Sequence, residues 1–274
     1  MRSLLRRRGF LVGAALLSAL VLAAILAGWI APFDPLRNNY RYRLGEPNGV
    51  FIFGTDRFGR DVASRILFGA RVSLVIGLAV ATLSGLFGGL AGLVAGWWRG
   101  ADGWVMRLMD GLMAFPGILL AITLAATLEP SEATTIVALT VAYAPRTARV
   151  MRGAVLVARA QDYVEAARAT GASTRRVLLR HVLPACGAPM AVQQTYIFAL
   201  AILAEAVLSF VGVGPPPPAA TLGAIISDGR DTMVEAPWVM LAPGVAIAML
   251  VLALNLLGDG VRDALDPRMR HIVR

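Results

Sequence analysis

Lysine is absent from the 274 residues, and all 26 basic side chains are arginine. A phosphate-cradling loop needs a lysine on the β- and γ-phosphates, so any ATP used with this chain must be bound by another one. Cysteine occurs once, at Cys186, which excludes an internal disulfide and a thiolate metal cluster and leaves a small core residue. The two histidines, His181 and His271, are far apart and lack an H-E-x-x-H spacing, so no metal is assigned. No paired nucleophile and base stands out, which removes the argument for an intramembrane hydrolase. Charged residues are also scarce, at 16% of the chain.

What is abundant is apolar surface. Hydrophobic residues make up 57% of the chain and the mean hydropathy is +0.68, more than one soluble core requires. Lipid is therefore the expected solvent for most of it. The first apolar run, 10–31, follows Arg2, Arg6, Arg7 and Arg8, the order of features in a signal peptide. Its 22 residues exceed the roughly 7 to 15 of a cleavable segment and match a ~30 Å hydrocarbon core, so a retained anchor is expected. Further spans are read at 72–98, 104–128, 135–157, 186–211 and 238–257. The predicted fold is all-α, with about six transmembrane helices. With a cytoplasmic amino terminus, alternation places 18 of the 26 arginines inside, so both termini are expected in the cytoplasm. The net charge of +9 then reports orientation, not an affinity for nucleic acid. The segments read as a terminus at 1–9, the anchor at 10–31, an extracytoplasmic loop at 32–71, a five-helix core at 72–259 containing a cytoplasmic loop at 158–185, and a tail at 260–274.

Seven of the eight outward arginines lie between Arg37 and Arg71, so loop 32–71 should hold structure of its own. Residues 53–61 carry the glycines and aspartates of a tight turn. Val62, Ile66, Leu67 and Ala70 then share one face of a helix expected to lie at the interface. This loop reads either as a turn that aims the next span or as part of an outer gate or docking face for a soluble delivery protein. In the second span, Gly88, Gly92 and Gly96 repeat on one face, as small residues do where helices pack closely in lipid; Gly77 lies off that face. Intramembrane carboxylates are functional candidates, so Asp110 and Glu205, with Asn255, are taken as a possible substrate path. The same carboxylates keep a proton-coupled transporter open as a rival.

Residues 162–184 read as two short helices. Asp162 and Glu165 have the spacing of a capping box, Gly171 can supply a left-handed stop, Ser173 can cap the second helix and Pro184 is expected to end it. The first helix is small and polar on its outer side, which suits docking into a groove on a partner. A DNA-binding helix-turn-helix is excluded because membrane spans on both sides keep so short a loop from a duplex.

Glu165-Ala166-Ala167, Gly171 and Leu183-Pro184 resemble, in type and spacing, the cytoplasmic signature of permease subunits of bacterial ABC importers; His181 stands where the family has isoleucine. Together with 53–61, 69–74, 180–184 and 255–268, the chain is similar to the C-type permeases of dipeptide and oligopeptide importers. That resemblance implies a type I importer permease fold in the bacterial inner membrane, without enzymatic activity of its own. It also implies a heterodimer with a homologous B-type permease and an extracytoplasmic solute-binding protein. Two cytoplasmic ATPase subunits or domains would bind ATP and magnesium, with no cofactor in this chain. Glu165, Ala166, Ala167, Arg168, Gly171, Ala172 and Pro184 would form the contact that couples ATPase closure to the spans. The same subfamily also moves nickel and other small solutes.

Overall fold

The computed structural model describes residues 8–265, so the readings placed on Arg2, Arg6, Arg7, Arg268, Arg270, His271 and Arg274 lie outside the described residues. Among the described residues the regular structure is helical; one isolated bridge, Thr55 to Asp61, accompanies the helices. Helix α1 (Arg8–Ile25) and the single turn α2 (Ala27–Ile30) cover the expected anchor. The break at Leu26 is slight, because Leu26 still donates to Leu22 and Ile30 to Leu26. Ala31 turns extended, as the residue before Pro32 is biased to do.

Helix α3 (Val62–Trp97) is 36 residues long, about 54 Å at 1.5 Å per residue, and exceeds the thickness of a bilayer core. The interfacial helix expected at 62–71 is therefore not a separate element: it is the first turns of α3. Asp61 starts it, accepting from the Ser64 amide at 2.8 Å and the Ser64 hydroxyl at 2.6 Å. Gly69, within those first turns, admits the backbone of Thr221 and Leu222.

Helix α6 (Glu132–Arg159) lies along α3. A Cβ on Gly88 or Gly92 would land on the carbonyl oxygens of Ala144 and Ala148, and one on Gly96 would come within 2.7 Å of Val155. The glycine face thus packs as its spacing predicts. Gly77 was expected to be free of such crowding, yet its Cβ would sit 2.8 Å from Phe198 and 2.9 Å from Ile202; it faces a different neighbour, α9 (Leu183–Val211).

The span expected at 104–128 is not one straight helix. It is α4 (Arg99–Met113) and α5 (Gly117–Thr127), bent by 84°. Pro116 is the cause: it lacks an amide hydrogen, its ring crowds the preceding turn, and it takes extended angles (φ −55°, ψ 121°). Helix α4 buries no residue, whereas α5 buries Ala121 and Ala125 against Ala142 and Tyr143 of α6.

Helices α7 (Asp162–Ala169) and α8 (Thr174–Val177) follow, and a π-turn at Leu178–Val182 leads directly into α9. Helix α10 (Leu222–Gly229) and helix α11 (Trp238–Leu265) complete the described residues. Three described helices are long and apolar enough to span a membrane, Val62–Trp97, Thr174–Val211 and Trp238–Ala264, and the bent pair could make a fourth.

Candidate functional site

The elbow between α6 and α9 is built from local backbone chemistry. Gln161 precedes α7 without a side-chain cap, and Asp162 is already the first helical residue. The capping box expected of Asp162 and Glu165 is therefore not formed. Both carboxylates instead lie in the first turn and Arg168 in the last, each sign at the end of the helix dipole that favours it. The stop is as predicted: Gly171 has φ +82°, its amide bonds the Arg168 carbonyl at 2.9 Å, and the Ala172 amide reaches back to Ala167 at 3.0 Å. No atom lies within 4 Å of where a Gly171 Cβ would stand, so the need for glycine is one of backbone conformation, not space. Ser173 caps α8, accepting from the Arg176 amide at 3.4 Å.

Pro184 does not end the second helix. It sits in the first turn of α9, and the widened turn before it, where the Leu183 amide bonds Leu178, relieves the clash of its ring with the Arg180 carbonyl. Val164, Val177 and Val182 are buried with Met151, Val155 and Ala158. Glu165, Ala166, Arg168, Gly171 and Pro184 are exposed, while Ala167 and Ala172 pack at the edge of that cluster. The elbow has an apolar root and a bare, small-residue crest.

At the other end of α3 lies an ionic knot that sequence reasoning missed. Asp56 is fully buried and accepts from the Phe58 and Arg60 amides at 2.8 and 3.0 Å. It also takes Arg60 Nε and Arg65 Nη1, both at 2.7 Å. Asp228 of α10 receives Arg60 at 2.9 Å, Arg65 at 2.8 Å and Arg57 at 3.3 Å. The indole of Trp238 donates to the Thr55 carbonyl at 3.3 Å. Loop 53–61 is thereby bound to α3, α10 and α11. Only the dense charge of 53–61 hinted at this; its main partner, Asp228, lies 168 to 171 residues away from Arg60 and Arg57.

The three polar positions read as a possible path are not brought together. Glu205 is fully buried and accepts from Ser73 and Ser209, each at 2.7 Å, while Thr221 donates to Ser209 at 3.0 Å. That knot joins α3, α9 and the start of α10. Asp110 is exposed and pairs with Arg149 at 2.6 Å, and Asn255 lies exposed on α11. Among the described residues no group of three or more His, Cys, Asp or Glu could hold a metal ion.

Residues 63–271 match the family described as binding-protein-dependent transport system inner membrane component. The chain belongs to that family. Residues 1–47 of the permease match the N-terminal transmembrane domain of oligopeptide transport permease C. It is 40% identical to the di/tripeptide transport system permease protein DppC of Pseudomonas aeruginosa, over 98% of this chain and 91% of that one. A Brucella suis chain with the provisional name of peptide transport system permease protein is 53% identical, again over 98% and 91%. Two solved structures share the fold: the MetNI methionine ABC transporter, inward facing (TM-score 0.55, 23% identity, 71% of this chain and 94% of that one), and an amino acid ABC transporter with histidines (TM-score 0.59, 14% identity, 74% and 95%). The permease is thus a multi-pass inner-membrane subunit of an ABC importer and not itself an enzyme.

Proposed function

We propose that this permease forms half of a translocation pathway for di- and oligopeptides, opposite a homologous B-type permease, and that α7 couples it to two cytoplasmic ATPases. In this reading the chain crosses the membrane six times with both termini in the cytoplasm, and loop 53–61 faces the solute-binding protein. The observation that carries the coupling role is the stiff, rooted elbow with an exposed crest: Val164 and Val177 anchor it, the Gly171 turn shapes it, and Glu165 and Ala166 are exposed and able to meet a groove. Closure of the ATPases displaces α7, and the attached spans rock as rigid bodies. The peptide assignment rests on the di/tripeptide and dipeptide permeases to which the chain is 40% identical.

Topology is tested by single cysteines at Asn38 and Ser173 after Cys186 is replaced by serine. An impermeant reagent added to intact cells should label position 38 and spare 173; labelling of 173 from outside overturns the orientation. For the solute, a di- and tripeptide mixture should raise the unfolding temperature of the partner binding protein. No shift with peptides, and a shift with nickel or another small solute, would replace the peptide assignment.

A further inference from the structure

Helix α7 meets the membrane body not only through its apolar root but also through Arg168, whose guanidinium carbon lies 4.6 Å from the centre of the Trp97 ring, well within cation–π range. Trp97 is the last residue of α3, where the chain turns into α4. Two more arginines grip the same elbow from α6. Arg159 donates to the carbonyls of Gly96 at 2.8 Å and Trp97 at 3.4 Å, supplying donors for acceptors that a helix end leaves unpaired. Arg152 holds Asp102 of α4 through two parallel bonds of 2.6 and 2.7 Å.

Helix α4 buries nothing, so its position is set by these attachments, by the Asp110–Arg149 pair and by its covalent ends. Beyond it, the Pro116 hinge leads into α5, which is packed on α6. An arm with so little buried surface moves at low cost when its root is moved.

We propose that Trp97 is a positioning residue for transport: Arg168 presses on it, so that displacement of α7 also reaches α4 and the Pro116 hinge through the α3–α4 elbow, alongside the covalent path up α6. Arg159 and Arg152 clamp the elbow so that it moves as one piece with α6. This inference rests on the coupling role given to α7.

The test uses the complete importer in vesicles, supplied with its binding protein and a labelled di- and tripeptide mixture. Trp97→Leu and Arg168→Gln should each assemble at normal yield and lower uptake by about three- to fivefold, the scale of an exposed cation–π contact. Trp97→Phe keeps an aromatic face and Arg168→Lys keeps the cation, so both should recover most of the rate. The double variant Trp97→Leu with Arg168→Gln should be no slower than either single, since the contact is already lost. Multiplying losses in the double variant, or no recovery by the Phe and Lys variants, overturns the relay. Normal uptake by Trp97→Leu while Gly171→Val fails also overturns it and leaves the coupling loop standing. Normal uptake by both removes the coupling role itself.

Discussion

The two ends of α3 treat charge in opposite ways. Around Arg65, which is 3% exposed, the arginines of loop 53–61 and α3 share Asp56 and Asp228 within the same chain. Around Trp97, by contrast, α7 presents Glu165 in the open and rests the exposed Arg168 on the Trp97 ring, and the elbow it belongs to is rooted by valines. Buried charges are tolerable only where their partners are already in place, because the desolvation cost is large and must be offset by neighbours. Exposed charges at a helix end cost little and remain available to another surface. One end of α3 is thus finished within this chain, and in the reading proposed above the other is completed by a second protein.

This contrast can be broken most severely at the ionic end. Arg65→Leu leaves Asp56 buried without one of its two cations, and the loss of one member of such a network costs about 3–5 kcal/mol. The expected result is a sharp fall in the yield of folded permease, read by size-exclusion of the detergent extract. Normal yield would mean that the knot is not what holds loop 53–61 to α10. Next in size is Gly92→Leu, whose side chain would collide with Ala148 and Met151; overpacking of this kind costs roughly 1–3 kcal/mol or more and should separate α3 from α6. Gly153→Leu, with no atom within 4 Å of its Cβ position, is the matched control, and equal thermal stability of the two variants would defeat the packing assignment.

At the elbow the effects on stability should shrink while those on function grow. Gly171→Val imposes a positive φ on a β-branched residue, at roughly 1–2 kcal/mol, in a turn that few other contacts support. The variant should reach the membrane and assemble, yet lose uptake and the response of ATP hydrolysis to loaded binding protein. Full uptake by an assembled Gly171→Val complex would show that the elbow is not the coupling element. Glu165→Gln removes one exposed charge from the first turn of α7 and should only reduce uptake partially. The smallest effect belongs to Asp110→Asn: its pair with Arg149 is more than half exposed and worth about 0.2–1 kcal/mol, so melting should shift by little and uptake should persist. A complete loss of uptake there would restore Asp110 as part of the substrate path.

Local chemistry was legible in the residues wherever the cause acts over a few positions. Apolar length marked the lipid-embedded class, the 88–92–96 glycine spacing marked a close-packing face on α3, and Gly171 and Ser173 marked the turn between α7 and α8. The Asp162–Glu165 box failed because capping depends on which residue takes the first helical angles, a choice that shifts by one position at little cost. Pro184 failed as a stop because a single wide turn absorbed it, and the span at 104–128 failed because Pro116 was not absorbed; the same residue type bends or continues a helix according to what the surrounding packing can accommodate.

Sequence by itself determined that this chain is a helical membrane protein without a P-loop, because composition and the absence of lysine act without any fold. It also marked the elbow, because capping, φ preference and helix spacing are properties of neighbours in the chain. Only tertiary structure decided which charges are shared and which are left open. Asp56 meets Arg60 and Arg65 within a few residues but is linked through these two arginines to Asp228, some 170 residues further on, and Arg168 finds Trp97 only because α3 and α6 lie side by side. Those pairings depend on how the spans are packed, and a linear pattern of charges carries no record of distance through space.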